Sequence, residues 1–117
     1  MAFRYRRFEV YQDAIKFHRL IVRVTGTFPK EFDYLRQQVR RASLSILLNI
    51  AEGSAKSSDK DFNRYLGNAL GSINETMAGI EVSLIGKLID SRTFGEIEKP
   101  ATSITNQLGG LSKKLRQ

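Results

Sequence analysis

The fold of this chain is decided by the stretch Gln37-Gln38-Val39-Arg40-Arg41-Ala42-Ser43-Leu44-Ser45-Ile46-Leu47-Leu48-Asn49-Ile50-Ala51-Glu52-Gly53. Read as a helix, the stretch is apolar on two opposite faces, whereas a surface helix is apolar on one. The first face continues a core stripe made of Leu35, Val39, Ala42, Ile46, Ile50 and Gly53. The second face is made of Leu44, Leu47, Leu48 and Ala51. A helix with two apolar faces is buried on two sides, so we predict that the second face forms an oligomer interface with another copy of the chain.

A polar stripe separates these two faces, and the third predicted helix carries a possible counterpart. Antiparallel packing of the two helices would bring Arg41 within about a turn of Glu75. A network of this kind adds little stability but fixes register and partner choice; the alternative is two ordinary solvated faces. The predicted network consists of Gln38, Arg41, Ser45, Asn49, Glu52, Ser72 and Glu75.

Four helical segments follow from the spacing of apolar residues along the chain. In the first, Val10, Ala14, Phe17 and Ile21 recur at steps of four and three, the pattern of a helix that faces a bundle. The segments span about residues 8–25, 33–52, 59–89 and 94–115. Short loops between helices make neighbours antiparallel. We therefore predict an all-α protein, a single antiparallel up-down-up-down four-helix bundle over residues 1–117.

The helix ends are predicted from local signals. Gly53 suits a left-handed residue that closes the second helix, and Ser58 begins the third with an acidic first turn. Thr93-Phe94-Gly95-Glu96 reads as a capping box for the fourth helix. Pro100 either kinks that helix or moves its start to about Lys99. Glycines within the third helix indicate close approach of a neighbouring helix, or tolerated surface positions.

Several function classes find no support in the composition. The chain has no cysteine, and His18 is its only histidine, placed in mid-helix beside the core stripe. It has no Glu-x-x-His pair, phosphate-binding loop or dinucleotide-binding motif. We therefore expect no enzyme activity, catalytic residue, metal or cofactor. No apolar run reaches about 18 residues and the first residues lack a signal-peptide core, so we expect a cytoplasmic protein without a membrane partner.

The charge points to a polyanionic partner. The net charge is +7; residues 1–50 hold 10 Lys/Arg against 4 Asp/Glu, and residues 51–117 hold 9 against 8. Such asymmetry is typical of contact with nucleic acid, although modest basicity also serves solubility. Cations interleaved with aromatic residues at the N-terminus suit phosphate contact with base stacking; the alternative is a strap that packs Phe3 or Phe8 onto the bundle. The candidate nucleic-acid-binding residues are Arg4, Arg6, Arg7, Arg36, Arg40, Lys56, Lys60 and Arg64.

Two strings within this pattern resemble a known family. Arg40-Arg41-Ala42-Ser43-Leu44-Ser45-Ile46-Leu47-Leu48-Asn49-Ile50-Ala51-Glu52-Gly53, followed by Leu66-Gly67-Asn68-Ala69-Leu70-Gly71-Ser72-Ile73-Asn74-Glu75, resembles the four-helix-bundle proteins encoded within 23S ribosomal RNA intervening sequences. The resemblance covers residues 8–90, and Pro100 departs from it. It implies a ring-like homopentamer. The family is similar in fold to the accessory protein of diversity-generating retroelements, a basic pentamer that binds nucleic acid and a reverse transcriptase, which implies the same partner classes here.

Two functions from different classes remain open at this point. The first is a non-enzymatic, basic oligomer that binds structured RNA or DNA through backbone electrostatics. The second is a structural scaffold pentamer that presents surfaces to a protein partner, such as a reverse transcriptase, without direct nucleic-acid binding. Neutralising the candidate arginines would abolish the first function and leave the second intact.

Overall fold

The computed structural model of the protein describes residues 3–117, which form four long α-helices. These are α1 (Glu9–Thr25), α2 (Asp33–Ser54), α3 (Asp59–Ile85) and α4 (Ser91–Leu115), with short 3₁₀ helices at Arg4–Arg7 and Lys30–Phe32. Within the described range there is no β-strand. The predicted all-α class with four helices is confirmed. None of the helices in this range is long and apolar enough to cross a membrane.

Each helix packs on the next one along the chain, and α1 also packs on α4. Hydrogen bonds join the early part of one helix to the late part of its neighbour, which makes the neighbours antiparallel. They connect Arg40 of α2 to Val22 of α1 (2.9 Å), Gln107 of α4 to Asp13 of α1 (2.8 Å), and Ser112 of α4 to Asn63 of α3. The resulting body measures 44 × 21 × 19 Å.

The core consists of the predicted apolar stripes. Phe17, Ile21, Ile46, Leu66 and Ile104 are fully or almost fully buried, because residues three and four apart share one helix face. Burying one such side chain contributes roughly 1.5–3 kcal/mol.

Leu47 differs from the prediction that it belongs to the outer face of α2. Its side chain is only 8% exposed and lies in the core of the single chain. At about 100° per residue, a position three residues beyond Leu44 is rotated roughly 60° from it. That rotation turns Leu47 inward, whereas Leu44 and Leu48 face outward.

Two glycines bring α2 and α3 unusually close together. A Cβ atom on Gly53 would lie 2.6 Å from Tyr65 Cβ, and one on Gly79 would lie 2.5 Å from Val39 Cγ2. The prediction that Gly53 closes α2 in a left-handed conformation is wrong, because α2 continues to Ser54 and no glycine in residues 3–117 has a positive φ. Gly53 is needed for its missing side chain and not for its backbone freedom.

The ends of α3 and α4 also differ from the predicted ones. Helix α3 stops at Ile85, because Lys87 adopts a left-handed φ of 63° and the Leu88 N–H reaches back to the Ser83 carbonyl (2.9 Å). Helix α4 begins at Ser91 and not near residue 94, because the Asp90 carboxylate accepts the Thr93 N–H (2.8 Å). Thr93 is therefore inside the first turn and does not cap it.

Ser58 and Pro100 were the other two residues predicted to mark helix ends. The Ser58 side chain caps α3 by accepting the Asp61 N–H at 3.1 Å, as predicted. Pro100 lies inside α4, which continues through it in both directions, so the helix does not start at Lys99. The proline supplies no N–H for the carbonyl of Glu96, four residues earlier.

Candidate nucleic-acid interface and outer apolar face

The N-terminal residues form a strap across one end of the bundle. The Arg4 Nε donates to the Ser54 carbonyl at the end of α2 (2.7 Å), and its guanidinium lies 5.3 Å from the centre of the Phe62 ring. The Phe8 ring packs on the same Phe62 ring, with 5.9 Å between the centroids. Arg4 and Phe8 therefore attach the N-terminal residues to α2 and α3, as in the alternative in which this segment packs on the bundle as a strap.

The last turns of α4 join the same end of the bundle. Ser112 of α4 donates a hydrogen bond to Asn63, one residue beyond the aromatic ring on which the strap packs. Three segments that are distant in sequence thus meet here: residues 3–9, 52–64 and 111–117, called the basic end from this point. They carry nine Lys/Arg against four Asp/Glu, whereas the rest of the chain carries ten against eight. The positive charge is therefore concentrated at one end.

Arg6, Lys56 and Arg64 of the basic end also lie beside aromatic rings, and two of them, Arg6 and Arg64, are exposed. The Arg6 guanidinium lies 5.1 Å from the centre of the Phe3 ring. Lys56 and Arg64 lie 5.1 and 5.0 Å from the centre of the Tyr65 ring. Each such pair offers a positive charge for a phosphate group and, next to that charge, a flat apolar ring for a base.

Lys113, Lys114 and Arg116 belong to the basic end but were absent from the predicted set. They lie in or just after the last turn of α4, and all three are exposed. A sequence signal for them existed: antiparallel topology places the end of the fourth helix beside the starts of the first and third. Combining the three cations with that topology would have found them.

Arg36 and Arg40 have a different environment from the one predicted. The Arg36 Nη1 donates to the carbonyls of Thr25 and Phe28, both at 2.9 Å. Arg40 donates to the Thr25 hydroxyl (2.9 Å) and to the Val22 carbonyl (2.9 Å). Both guanidinium groups thus cap the C-terminal end of α1, where carbonyls lack helical partners and the helix dipole is negative. They lie away from the basic end, and we leave them out of the candidate interface.

His18 is half-buried between α1 and α2. Its Nδ1 lies 2.7 Å from the Oγ of the buried Ser43, and the Ser43 hydroxyl itself donates to the Arg40 carbonyl (3.1 Å). Burial, and then the nearby Arg40 guanidinium, lower the pKa of His18 from its ordinary value. A search of residues 3–117 finds no group of three His, Cys, Asp or Glu side chains that could hold a metal ion.

The predicted polar network between α2 and α3 is only partly present. Ser72 donates to the Ser45 hydroxyl (2.9 Å), and Asn49 donates to the Ser45 carbonyl (2.8 Å). The Glu75 carboxylate accepts a hydrogen bond from Gln38. The Ser72–Ser45 and Gln38–Glu75 bonds join α2 to α3 and fix their register, whereas the Asn49 bond lies within α2.

Arg41 and Glu52 are not part of this network. Both side chains are exposed, and neither forms a hydrogen bond or an ion pair with any residue from 3 to 117. On the helix surface, positions 41 and 52 lie beside Leu44 and Leu48, three or four residues away. Arg41 therefore points outward with the apolar face and does not reach the Glu75 of its own chain.

The outer face of α2 remains apolar and exposed. Leu44 is 39% and Leu48 52% exposed. Beside them lies an open groove of about 710 Å³ between α2 and the N-terminal strap. Its walls are formed by Phe3, Arg4, Tyr5, Leu48, Ala51, Glu52, Ser54 and Ala55. Contiguous exposed apolar surface of this kind marks sites of association.

Comparison with known proteins gives one family. A family model described as "23S rRNA-intervening sequence protein" matches residues 6–110. The match includes all of α1, α2 and α3 and most of α4. No curated protein is significantly similar to the chain.

Proposed function

Because the chain belongs to the family of 23S rRNA-intervening sequence proteins, we propose that it is a non-enzymatic protein that binds nucleic acid in the cytoplasm as a homo-oligomer. The observation that carries this proposal is the concentration of cations at the basic end, where nine Lys/Arg from three chain segments face four Asp/Glu. The family's description names an intervening sequence of 23S rRNA, so structured RNA is the first ligand class to test.

Backbone electrostatics would supply most of the affinity. Each phosphate neutralised by Lys or Arg releases counterions, so affinity falls steeply with salt, with a slope of about −0.9 per phosphate on duplex DNA. The exposed Phe3 beside Arg6 and the partly exposed Tyr65 beside Lys56 and Arg64 offer stacking surfaces for unpaired bases. Because the basic end offers positive charge and flat aromatic surface, we expect recognition mainly by shape and charge.

Self-association would multiply the charge. The exposed Leu44 and Leu48 support an interface on the outer face of α2. In a ring-like homopentamer, which the family resemblance implies, the basic ends of five copies would add to one multivalent surface. Multivalency raises apparent affinity by orders of magnitude without new contacts.

The test is a salt series of filter binding with two probes, a structured RNA stem-loop transcript and a DNA duplex of matched length. The variant Lys60→Gln/Lys113→Gln/Lys114→Gln removes three exposed cations from the basic end. We expect it to reduce the magnitude of the salt slope by about 3.

The matched control is Arg23→Gln/Lys30→Gln/Lys99→Gln, which removes the same charge from exposed positions outside the basic end. We expect a change in salt slope below about 1 for this variant. An equal reduction of the salt slope in both triple variants would mean that net charge alone drives binding. Negligible affinity of the native protein at low salt would refute the proposal and favour the scaffold alternative.

A further inference from the structure

We infer that the outer face of α2 of one copy docks against the outer face of α3 of the next copy, so that the oligomer is built head to tail. This inference rests on the self-association in the proposed function and names the surface that receives α2. That surface consists of Arg64, Gly67, Gly71, Glu75, Ala78 and Val82, all exposed or partly exposed on α3.

Contacts between α2 and α3 within one chain show which of their residues lie at the same level along the bundle axis. Ser45 meets Ser72, Gln38 meets Glu75, and Val39 packs against Gly79. Since α2 and α3 are antiparallel, these three contacts also determine which of the remaining α2 and α3 residues share a level. The level pairs on the two outer faces are Glu52 with Arg64, Leu48 with Gly67, Leu44 with Gly71, Arg41 with Glu75, and Tyr34 with Val82. In a closed ring whose axis runs along the bundles, all copies sit at one height, so these same levels meet across the interface.

The charges of the two faces are complementary at both of the charged levels. Arg41 and Glu52 form no ion pair within residues 3–117, and they carry opposite signs on α2. The α3 face presents Glu75 at the level of Arg41 and Arg64 at the level of Glu52. Reversing the direction of one copy would place like charges opposite each other, which disfavours the wrong orientation.

The shapes of the two faces are complementary as well. Leu44 and Leu48 project from α2, whereas a Cβ atom on Gly67 or Gly71 would have nothing within 4 Å. The glycines therefore leave a shallow channel along α3 into which two leucines fit, one turn apart on each helix. At the far end, Tyr34 is 69% and Val82 54% exposed, and a contact between them would bury both.

Head-to-tail pairing of two different faces generates a ring when the turn between them closes. Adjacent helices of a four-helix bundle face outward at roughly right angles to each other, which is close to the turn that a small ring requires. All copies then point the same way, so all basic ends lie on one face of the ring. That arrangement presents the cations of every subunit to the same nucleic acid.

The experiment uses two variants that each block one face. Gly71→Leu fills the channel on α3 and leaves α2 intact, whereas Leu48→Asp blocks α2 and leaves α3 intact. Light scattering coupled to size-exclusion chromatography should find each variant alone unassembled. A mixture of the two should form a 1:1 heterodimer that grows no further, because only one competent pair of faces remains.

Gly110→Leu is the matched control, since Gly110 is also an exposed helical glycine with nothing within 4 Å of its ideal Cβ. It should assemble like the native chain. Charge reversal gives a second readout: Arg41→Glu should weaken assembly at least tenfold, and Arg41→Glu/Glu75→Arg should restore it. Far-UV circular dichroism should show native helix content in all variants.

Native assembly by Gly71→Leu, together with dissociation of Leu48→Asp, would overturn the head-to-tail contact and indicate that α2 meets α2. The proposed nucleic-acid binding would be unaffected by that result. A monomeric native chain would overturn the contact and also the assembly in the proposed function.

Discussion

The role of Arg36 distinguishes a structural cap from a nucleic-acid contact. We expect Arg36→Met to keep the aliphatic stem and to remove the two bonds that the guanidinium donates to the carbonyls of Thr25 and Phe28. A hydrogen bond to a charged group contributes about 1.5–3 kcal/mol net. We take the lower value for each bond because both bonds are only partly buried. The third contact, with Asp33, has a partner that is 53% exposed, so it adds little.

The loss of two bonds should therefore lower the free energy of unfolding by about 3 kcal/mol. For a chain of this length that loss lowers the melting temperature by roughly 8–12 °C. Thermal unfolding followed by far-UV circular dichroism measures it, at one protein concentration because assembly makes melting concentration-dependent. The control is Arg92→Met, whose side chain is 88% exposed and lies outside both the basic end and the proposed subunit interface. Its free energy of unfolding should change by less than about 0.5 kcal/mol.

The same variant tests the role that the charge pattern alone suggests. In filter binding with the RNA stem-loop, Arg36→Met should leave the salt slope unchanged, because the Arg36 side chain is only 15% exposed and its guanidinium is bonded at the end of α1. A native melting temperature combined with a salt slope reduced by about 1 would refute the capping role and restore Arg36 to the nucleic-acid interface.

Two further outcomes follow from the packing of the bundle. Gly79→Ala should lower the free energy of unfolding by about 1–3 kcal/mol in urea denaturation, because its Cβ would lie 2.5 Å from Val39 Cγ2. The control Gly109→Ala, in open space, should raise the free energy of unfolding by roughly 0.5–1 kcal/mol. A change of the same sign in both variants would contradict the close approach of α2 and α3 at Gly79. The lowered pKa of His18 means that the unfolded chain binds the proton more readily, so stability should be complete above the ordinary value of 6.5 and decrease as the pH falls through the folded pKa. Denaturation at several pH values should show this decrease in the native chain and not in His18→Gln, and an identical pH profile in both would rule out His18 as its source.

Much of the architecture was predictable because helix patterns are local. The apolar stripes of Val10 to Ile21 and of Leu35 to Ile50 identify both the helices and their buried faces, since side chains three and four apart necessarily share one side. Helix ends were less predictable because neighbouring residues compete to cap them. Asp90 and Thr93 can each accept an N–H three residues ahead, and only the path of the chain from Ile85 selects Asp90.

The candidate site was predictable only in part. Arg6, Lys60 and Arg64 are exposed as the sequence predicts, and Lys56 is partly exposed. Arg41 was predicted on the correct helix but with the wrong neighbours. The missed cations of α4 required the meeting of three chain segments to be known.

The order of the amino acids is enough to predict four amphipathic helices, the core face of each, the second apolar face of α2 and an excess of positive charge. The tertiary structure alone decided which cations remain available. It brought the N-terminal strap, the turn between α2 and α3 and the end of α4 to one end of the bundle, and it bonded Arg36 and Arg40 to the carbonyls of α1. The two kinds of feature differ because they depend on interactions over different distances along the chain. Helix periodicity is set by backbone hydrogen bonds four residues apart, whereas the partner of a charged side chain depends on which helix ends meet after the chain has folded back on itself.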